Sequence, residues 1–283
     1  MEYKKPLCFF PYIGGKHLMS KVIVKLMPPH RIYVEPFAGA AKVFFAKEPS
    51  EIEVLNDADK KIANVYYCVA FHFQDFWERV KWLLHSREIF RVLKKKMNES
   101  PPSKLGDIEH AVATYYCLVS SFSGTGGSLA YGIHVSLGGR MITKKILILR
   151  KIRKRLKNVI IECKDFEEVI KTWDTETTLF YCDPPYYGAE YYYAIPFTNQ
   201  DHERLLKQLK QTKGKWILSG YHNDLYDEVL KGYPYIEKQN TKSSYAITRY
   251  RKNKTRPIAT EVLWFNYEPD VKTLKELGLE LKY

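Results

Sequence analysis

Thr178-Leu179-Phe180-Tyr181-Cys182-Asp183-Pro184-Pro185-Tyr186 is a short apolar and aromatic run that ends on a carboxylate and two prolines. The run reads as a buried strand. The prolines stop sheet pairing and fix the direction in which the chain leaves. A carboxylate, a rigid backbone carbonyl and an aromatic face are thereby expected at the C-terminal edge of a sheet, where open α/β folds bind ligands. Alone, such a stretch is as readily a plain strand and turn. Working outward, Ile32-Tyr33-Val34-Glu35-Pro36-Phe37-Ala38-Gly39-Ala40-Ala41 reads as a strand entering a small-residue turn, with Lys42 to Lys47 predicted helical. A turn of glycine and alanines lets a ligand approach the backbone closely. A second strand, Ile52-Glu53-Val54-Leu55, runs into Asn56-Asp57. In nucleotide-binding α/β units an acid about 20 positions past the glycine turn takes the ribose hydroxyls, and Asp57 stands at that distance from Gly39.

Asp183 to Tyr186 suits one chemistry in particular. The exocyclic amine of adenine is a poor nucleophile because its lone pair is delocalised into the ring. Asp183 and the Pro184 carbonyl form an acceptor pair able to hold both amine hydrogens and leave the lone pair facing an electrophile. Tyr186 offers a stacking face for a base that a duplex would have to release by flipping.

With these motifs in order, the chain resembles the Dam-like family of DNA adenine-N6 methyltransferases over most of its length. Pro11-Tyr12-Ile13-Gly14-Gly15-Lys16 is similar to that family's N-terminal segment. Glu35-Pro36-Phe37-Ala38-Gly39 resembles its donor-binding turn, Asn56-Asp57 its second donor motif, and Asp165-Phe166 the pair flanking the donor's adenine. Asp183-Pro184-Pro185-Tyr186 resembles its catalytic motif, and Glu261 to Tyr267 its closing strand. The resemblance implies S-adenosylmethionine as methyl donor. It places Tyr12, Lys16, Glu35, Phe37, Gly39, Asp57, Asp165, Phe166 and Asp183 around that donor, with Lys16 pairing with its carboxylate. Asp183, Pro184, Pro185 and Tyr186 are then the catalytic group. One position departs: the family's second turn glycine is Ala41 here, read as tolerated because close helix–strand packing is the demand at that place. The implied fold is α/β, a mixed, mostly parallel seven-stranded Rossmann-like methyltransferase sheet with a helical target-recognition insertion. Residues 1–59 and 158–283 would form the catalytic domain and 60–157 the insertion.

Composition agrees with a polyanionic partner. Forty-five Lys and Arg stand against 32 Asp and Glu, a formal net charge of +13, and such excess favours nucleic acid. Arg140 to Lys157 holds nine basic residues and no acid. Thr143 is predicted to cap a helix there, buried along Ile146, Leu149, Ile152 and Leu156. Arg140, Arg150, Arg153 and Lys154 on this helix, and Arg249 and Arg251 in a predicted hairpin loop over 242–256, are the expected contacts to double-stranded DNA. The glycine-rich stretch Ser121 to Ser128 reads equally as a DNA-facing loop or a plain surface loop. Thr198 with Asp201 forms a capping box before a surface helix carrying His202, and Asn223 caps the next. Five cysteines without a CxxC pair predict neither disulfides nor zinc, and no metal is expected. No leader or spanning segment is read, so a soluble, cytoplasmic protein is expected. A monomer is expected, with a companion restriction endonuclease as a further partner. The tyrosines at 187, 191, 192 and 193 read as a segment covering the flipped base. RNA in place of DNA, or an inactive DNA binder favoured by Ala41, are the competing readings. Cytosine is disfavoured, because its amine is usually served by Ser-Pro-Pro-Tyr.

Overall fold

A computed structural model describes residues 7–12, 19–99, 101–121, 138–188, 190, 193, 195–241 and 258–283. Its strands are β1 (Ile32–Glu35), β2 (Ile52–Asn56), β3 (Ile160–Glu162), β4 (Thr178–Cys182), β5 (Lys215–Gly220), β6 (Tyr235–Thr241) and β7 (Ile258–Phe265). They form one sheet in the order β3-β2-β1-β4-β5-β7-β6. The first five are mutually parallel, and β7 runs antiparallel to both β5 and β6. The seven-stranded mixed sheet matches the expected fold. The chain winds outward from β1 through β2 to β3, then crosses back to pair β4 with β1. The crevice at this reversal is where such folds hold ligands.

Side-chain alternation divides the sheet into two buried faces. Tyr33, Leu55, Leu179, Tyr181, Ile217 and Leu263 point to one core, and Val34, Val54, Phe180, Cys182, Leu218 and Trp264 to the other. The helices are α1 (Met19–Leu26), α2 (Lys60–Phe71), α3 (Phe73–Val80), α4 (Arg87–Glu99), α5 (Ile108–Ser120), α6 (Gly138–Leu156), α7 (Phe166–Trp173), α8 (Asn199–Gln211), α9 (Asp224–Val229) and α10 (Val271–Leu277). Helices α7, α8 and α9 cover the second face through residues such as Ile170, Leu205 and Tyr226. The first face is covered by α1 and α10, and by the excursion α2 to α6 between β2 and β3. Tyr66, Phe76, Phe90, Tyr115 and Leu149 of that excursion belong to the same cluster as Tyr33 and Leu55. Residues 60–157 are therefore set apart by connectivity while packing on the sheet.

Helix α6 begins at Gly138, so Thr143 lies inside it and is not its cap. The predicted buried stripe of Ile146, Leu149, Ile152 and Leu156 is observed. Two of the helix's cations are anchors. Lys145 is buried and donates to the Cys8 carbonyl. Arg155 forks onto both Glu53 carboxylate oxygens, donates to the Phe44 carbonyl and lies over the Phe44 ring at 3.6 Å. Lys47 completes the site, its ammonium 2.7 Å from Glu53 Oε1. Against the upward push of burial, hydrogen bonds from Arg155 and Lys47 hold the Glu53 carboxyl below the usual range. The Lys47 ammonium is lowered, by burial and by the neighbouring Arg155 charge, against the opposing pull of Glu53 and Glu35. Residues 42–47 form successive turns, in place of the predicted helix, with Phe45 N–H donating to the Ala41 carbonyl and Lys47 N–H to that of Val43.

Glu53→Gln leaves two buried cations without their carboxylate. Urea unfolding at neutral pH should show a loss of about 3 kcal/mol or more, the scale for breaking a buried ion pair; a loss below 1 kcal/mol would mean the cations find water instead.

Candidate active site

Strand tips β1, β2 and β4 converge on one pocket, lined among others by Tyr12, Asp57, Phe166, Tyr181, Asp183 and Pro185. Glu35 ends β1 with almost no exposure. Its Oε1 accepts from the Tyr33 hydroxyl at 2.7 Å and the Phe44 N–H at 2.8 Å. Burial pushes its pKa up to about 8, and the nearby Asp183 charge adds to that push. Asn56 stitches the neighbouring tips together. Its amide donates to the Pro36 and Lys164 carbonyls, and its oxygen accepts from the Lys164 N–H. Next to it, Asp57 Oδ2 accepts from the Gly39 N–H at 2.8 Å and Oδ1 from the Asp59 N–H at 2.9 Å. Burial raises Asp57 to about 7, with Asp59 as the second cause.

The turn between Ala38 and Ala41 is fixed from all sides. Gly39 has φ +47, and a Cβ there would meet the Tyr12 ring at 3.0 Å. The Tyr66 hydroxyl donates to the Gly39 carbonyl. Ala41 also has positive φ, +46, the only such non-glycine among the described residues. Packing alone is therefore not the demand at this position, as the sequence reading supposed. The backbone here takes the left-handed shape that glycine adopts freely and alanine adopts at a cost of roughly 1–2 kcal/mol.

One wall of the pocket is aromatic. Phe37, Phe166 and Phe197 stand with ring centroids 5.4 to 5.7 Å apart. Asp165 caps α7 through the Glu167 N–H and accepts from Arg204 Nη2 at 2.8 Å. The Arg204 guanidinium also lies over Phe166 at 4.9 Å. The exit of β4 also lines the pocket, through Asp183 and Pro185. Pro184 is buried. Tyr186 is buried as well, its hydroxyl 2.9 Å from Ser219 Oγ and its ring edge-on to Tyr221 at 4.6 Å.

Of the expected donor and catalytic residues, Tyr12, Glu35, Phe37, Gly39, Asp57, Asp165, Phe166, Asp183 and Pro185 line this single pocket. Lys16, Arg249, Arg251, the glycine-rich stretch beyond Ser121, Tyr191 and Tyr192 lie outside the described residues. Arg140 falls in the first turn of α6, while Arg150, Arg153 and Lys154 fall in its last two turns, near the end joined to β3. Arg150 lies over the Trp77 ring at 5.1 Å. The expected DNA contacts on this helix are thus spread along its length. The helix carrying His202 has the predicted capping box, but His202 itself has no exposed surface, which corrects the surface placement. Asn223 caps α9 as expected. Arg204 and Tyr66 were not singled out in the sequence, because their roles rest on partners distant along the chain; Tyr193, expected in a segment covering the base, lines the pocket.

A reversal-point pocket with a glycine turn, a buried strand-end acid and an aromatic wall has the form of a nucleotide-handling α/β enzyme. Residues 12–244 match the D12 class of N6 adenine-specific DNA methyltransferases, and the chain belongs to that family. It is similar to the type II methyltransferase M.CviBI of Paramecium bursaria Chlorella virus NC1A, with 25% identity over 222 residues covering 72% of this chain and 78% of the viral protein. It is also similar to the DNA adenine methylases of Vibrio cholerae, at 24% identity, and Escherichia coli K12, at 23%; each match covers 65% of this chain and 66% of the relative. The match thus spans about two thirds of the length of those bacterial relatives. The protein is an adenine-specific DNA methyltransferase.

Two measurements test this geometry. Ala41→Gly should raise stability by about 0.5–1 kcal/mol in urea unfolding, since relief of the left-handed alanine outweighs glycine's entropy in the unfolded chain; a destabilised variant would show that the methyl's packing matters more. In the folded protein Glu35 keeps its proton up to about pH 8, whereas in the unfolded chain it ionises near 4.5. The folded state binds the extra proton across that window, so stability is full below it and declines as pH rises through 8. Glu35→Gln, whose amide oxygen can accept both bonds, should flatten that decline in the donor-free protein.

Proposed function

We propose that the protein transfers a methyl group from S-adenosylmethionine to the N6 amine of an adenine flipped out of duplex DNA within a short sequence motif. The observation that carries this reading is the placement of Asp57 and Asp183 in one pocket beside a left-handed glycine turn. When bound, the donor supplies an electrophilic methyl on a sulfonium. The pocket suits such a cation: Glu35 and Asp57 are held partly protonated by burial, and a positive ligand favours their charged forms. Asp57 takes the ribose hydroxyls, and Asp165 with the Phe37–Phe166 wall receives the donor's adenine. Tyr12 closes on the glycine turn, and Lys16 is assigned the donor's carboxylate.

On the acceptor side, Asp183 and the Pro184 carbonyl orient the amine, and Asp183 stabilises the positive charge that grows on its nitrogen. Proximity in a water-poor pocket supplies the rest. Tyr186, held by Ser219 and Tyr221, serves to fix the motif and offers the base a face. The exposed cations Lys144, Arg150, Lys151 and Lys154 of α6, with Arg140, Arg153, Arg249 and Arg251, track phosphates. Residues 60–157 carry target recognition. We assign the protein to the cytoplasm as a monomer, working beside a companion restriction endonuclease. None of the described helices is long and apolar enough to cross a membrane.

Base-resolved mapping of plasmid DNA from cells expressing the wild type should show methylated adenine confined to one short motif. Asp183→Ala should abolish it, with a loss of at least about 100-fold in single-turnover rate, the scale for removing one transition-state contact, while donor binding persists. Methylation of RNA in preference to matched DNA, or donor binding without any transfer by the wild type, would overturn the reading in favour of an RNA enzyme or an inactive binder.

A further inference from the structure

His202 is a buried imidazole that the proposed chemistry does not use. It lies in the first turn of α8 with no exposed surface. Nδ1 is 2.8 Å from the Tyr226 hydroxyl, and Nε2 is 3.2 Å from Oε1 of Glu190. Burial lowers its pKa, outweighing the opposing pull of Glu190, so the ring is neutral at physiological pH and carries one proton. A carboxylate only accepts, so that proton belongs on Nε2, facing Glu190. Nδ1 then accepts from the Tyr226 hydroxyl. The tautomer is fixed by its two partners.

Glu190 stands seven residues beyond Asp183, in the segment leaving the catalytic motif. Its carboxylate also accepts from the Gly188 N–H at 2.9 Å, and its carbonyl accepts from the Tyr193 N–H at 2.9 Å. Tyr193 in turn lines the pocket, close enough to Asp183 and Tyr12 to feel both electrostatically. The His202 ring packs against Phe197 at 4.7 Å and Tyr187 at 5.3 Å. The buried face of α8 is thus joined through His202 to Glu190, whose carbonyl holds the Tyr193 N–H.

We infer that His202 is a positioning residue for methyl transfer: through Glu190 it sets Gly188 and the place of Tyr193 on the acceptor side of the pocket. The inference rests on the proposed adenine transfer. It predicts an effect on turnover and not on donor capture, because Gly39, Asp57 and Asp165 are held by contacts that involve neither His202 nor Glu190.

The test compares Glu190→Ala, His202→Phe, their double variant and His202→Gln with the wild type, all as full chains, in methylation of duplex DNA. Glu190→Ala removes the bond from a partly exposed side chain and leaves the core intact. In both single variants and in the double alike, kcat should fall about tenfold, as expected for loss of orientation at a reacting centre. KM for the methyl donor should stay within about twofold, since the change falls on the transition state and not on donor binding. His202→Gln, whose amide N–H can reach Glu190, should recover most of the rate. Wild-type turnover in Glu190→Ala, multiplicative losses in the double variant, or a donor KM rising in step with the fall in kcat would overturn it. If the wild type itself methylates no adenine, the proposed function fails separately. Chymotryptic cleavage at Tyr187, measured without DNA or donor, then decides the anchor: faster cutting in His202→Phe supports it and unchanged cutting refutes it.

Discussion

Parallel pairing of β1 with β4 is the contact on which the site depends. Ile32, Tyr33 and Val34 register against Thr178, Leu179 and Phe180, so the two chains leave the sheet side by side at Glu35 and Asp183. One chain then turns toward β2 and the other toward β5, and the diverging backbones leave the crevice. A one-residue slip in that register would turn Asp183 to the other face, because strand side chains alternate. The full burial of β4 on both faces is what fixes the register.

The crevice so formed is electrostatically costly. Glu35, Asp57 and Asp59 are all raised by burial, and Asp183 adds a fourth carboxylate nearby. The Ala38–Ala41 turn adds backbone strain. Such sites keep unfavourable groups because a ligand of opposite charge, or a close approach to backbone, uses them. The surrounding hydrogen bonds from Tyr33, Phe44, Gly39 and Asp59 hold those acids in place. Stability given up at the strand tips is offset by two well-filled cores below them.

Much of this was legible along the chain, since strand ends, proline stops and cap residues are local signals. The strands before Asp183 and Asp57, the Thr198–Asp201 capping box and the buried stripe of α6 needed only neighbours to be read. What escaped reading depended on partners far away in sequence. Ala41 is the exception: it stands where the family carries a turn glycine, a local sign of positive φ that a reading by packing alone misses. His202 looked like a surface residue because charged neighbours flank it, yet its ring turns inward to Tyr226, 24 residues on. Arg204 joins Asp165, Glu167 and Asp201, a hub invisible until α7 and α8 are laid side by side.

Helix α6 shows how a basic run must be divided before it is assigned to nucleic acid. Lys145 precedes Leu149, Ile152 and Leu156 by four, seven and eleven positions, so it shares their buried stripe. Arg155 lies three past Ile152 and seven past the half-buried Ile148, at the stripe's margin. Periodicity thus held the signal that these two cations face inward, and charge counting concealed it. Lys145 and Arg155 stand ten residues apart, about 15 Å along the axis. Pinning the helix to the Cys8 carbonyl at one point and to Glu53 at the other holds its angle against the sheet. The exposed cations Lys144, Arg150, Lys151 and Lys154 are then presented at fixed distances, so the phosphate tracking proposed for them would contribute to orientation as well as to affinity. Had all nine been solvated, the same charge would give attraction without register.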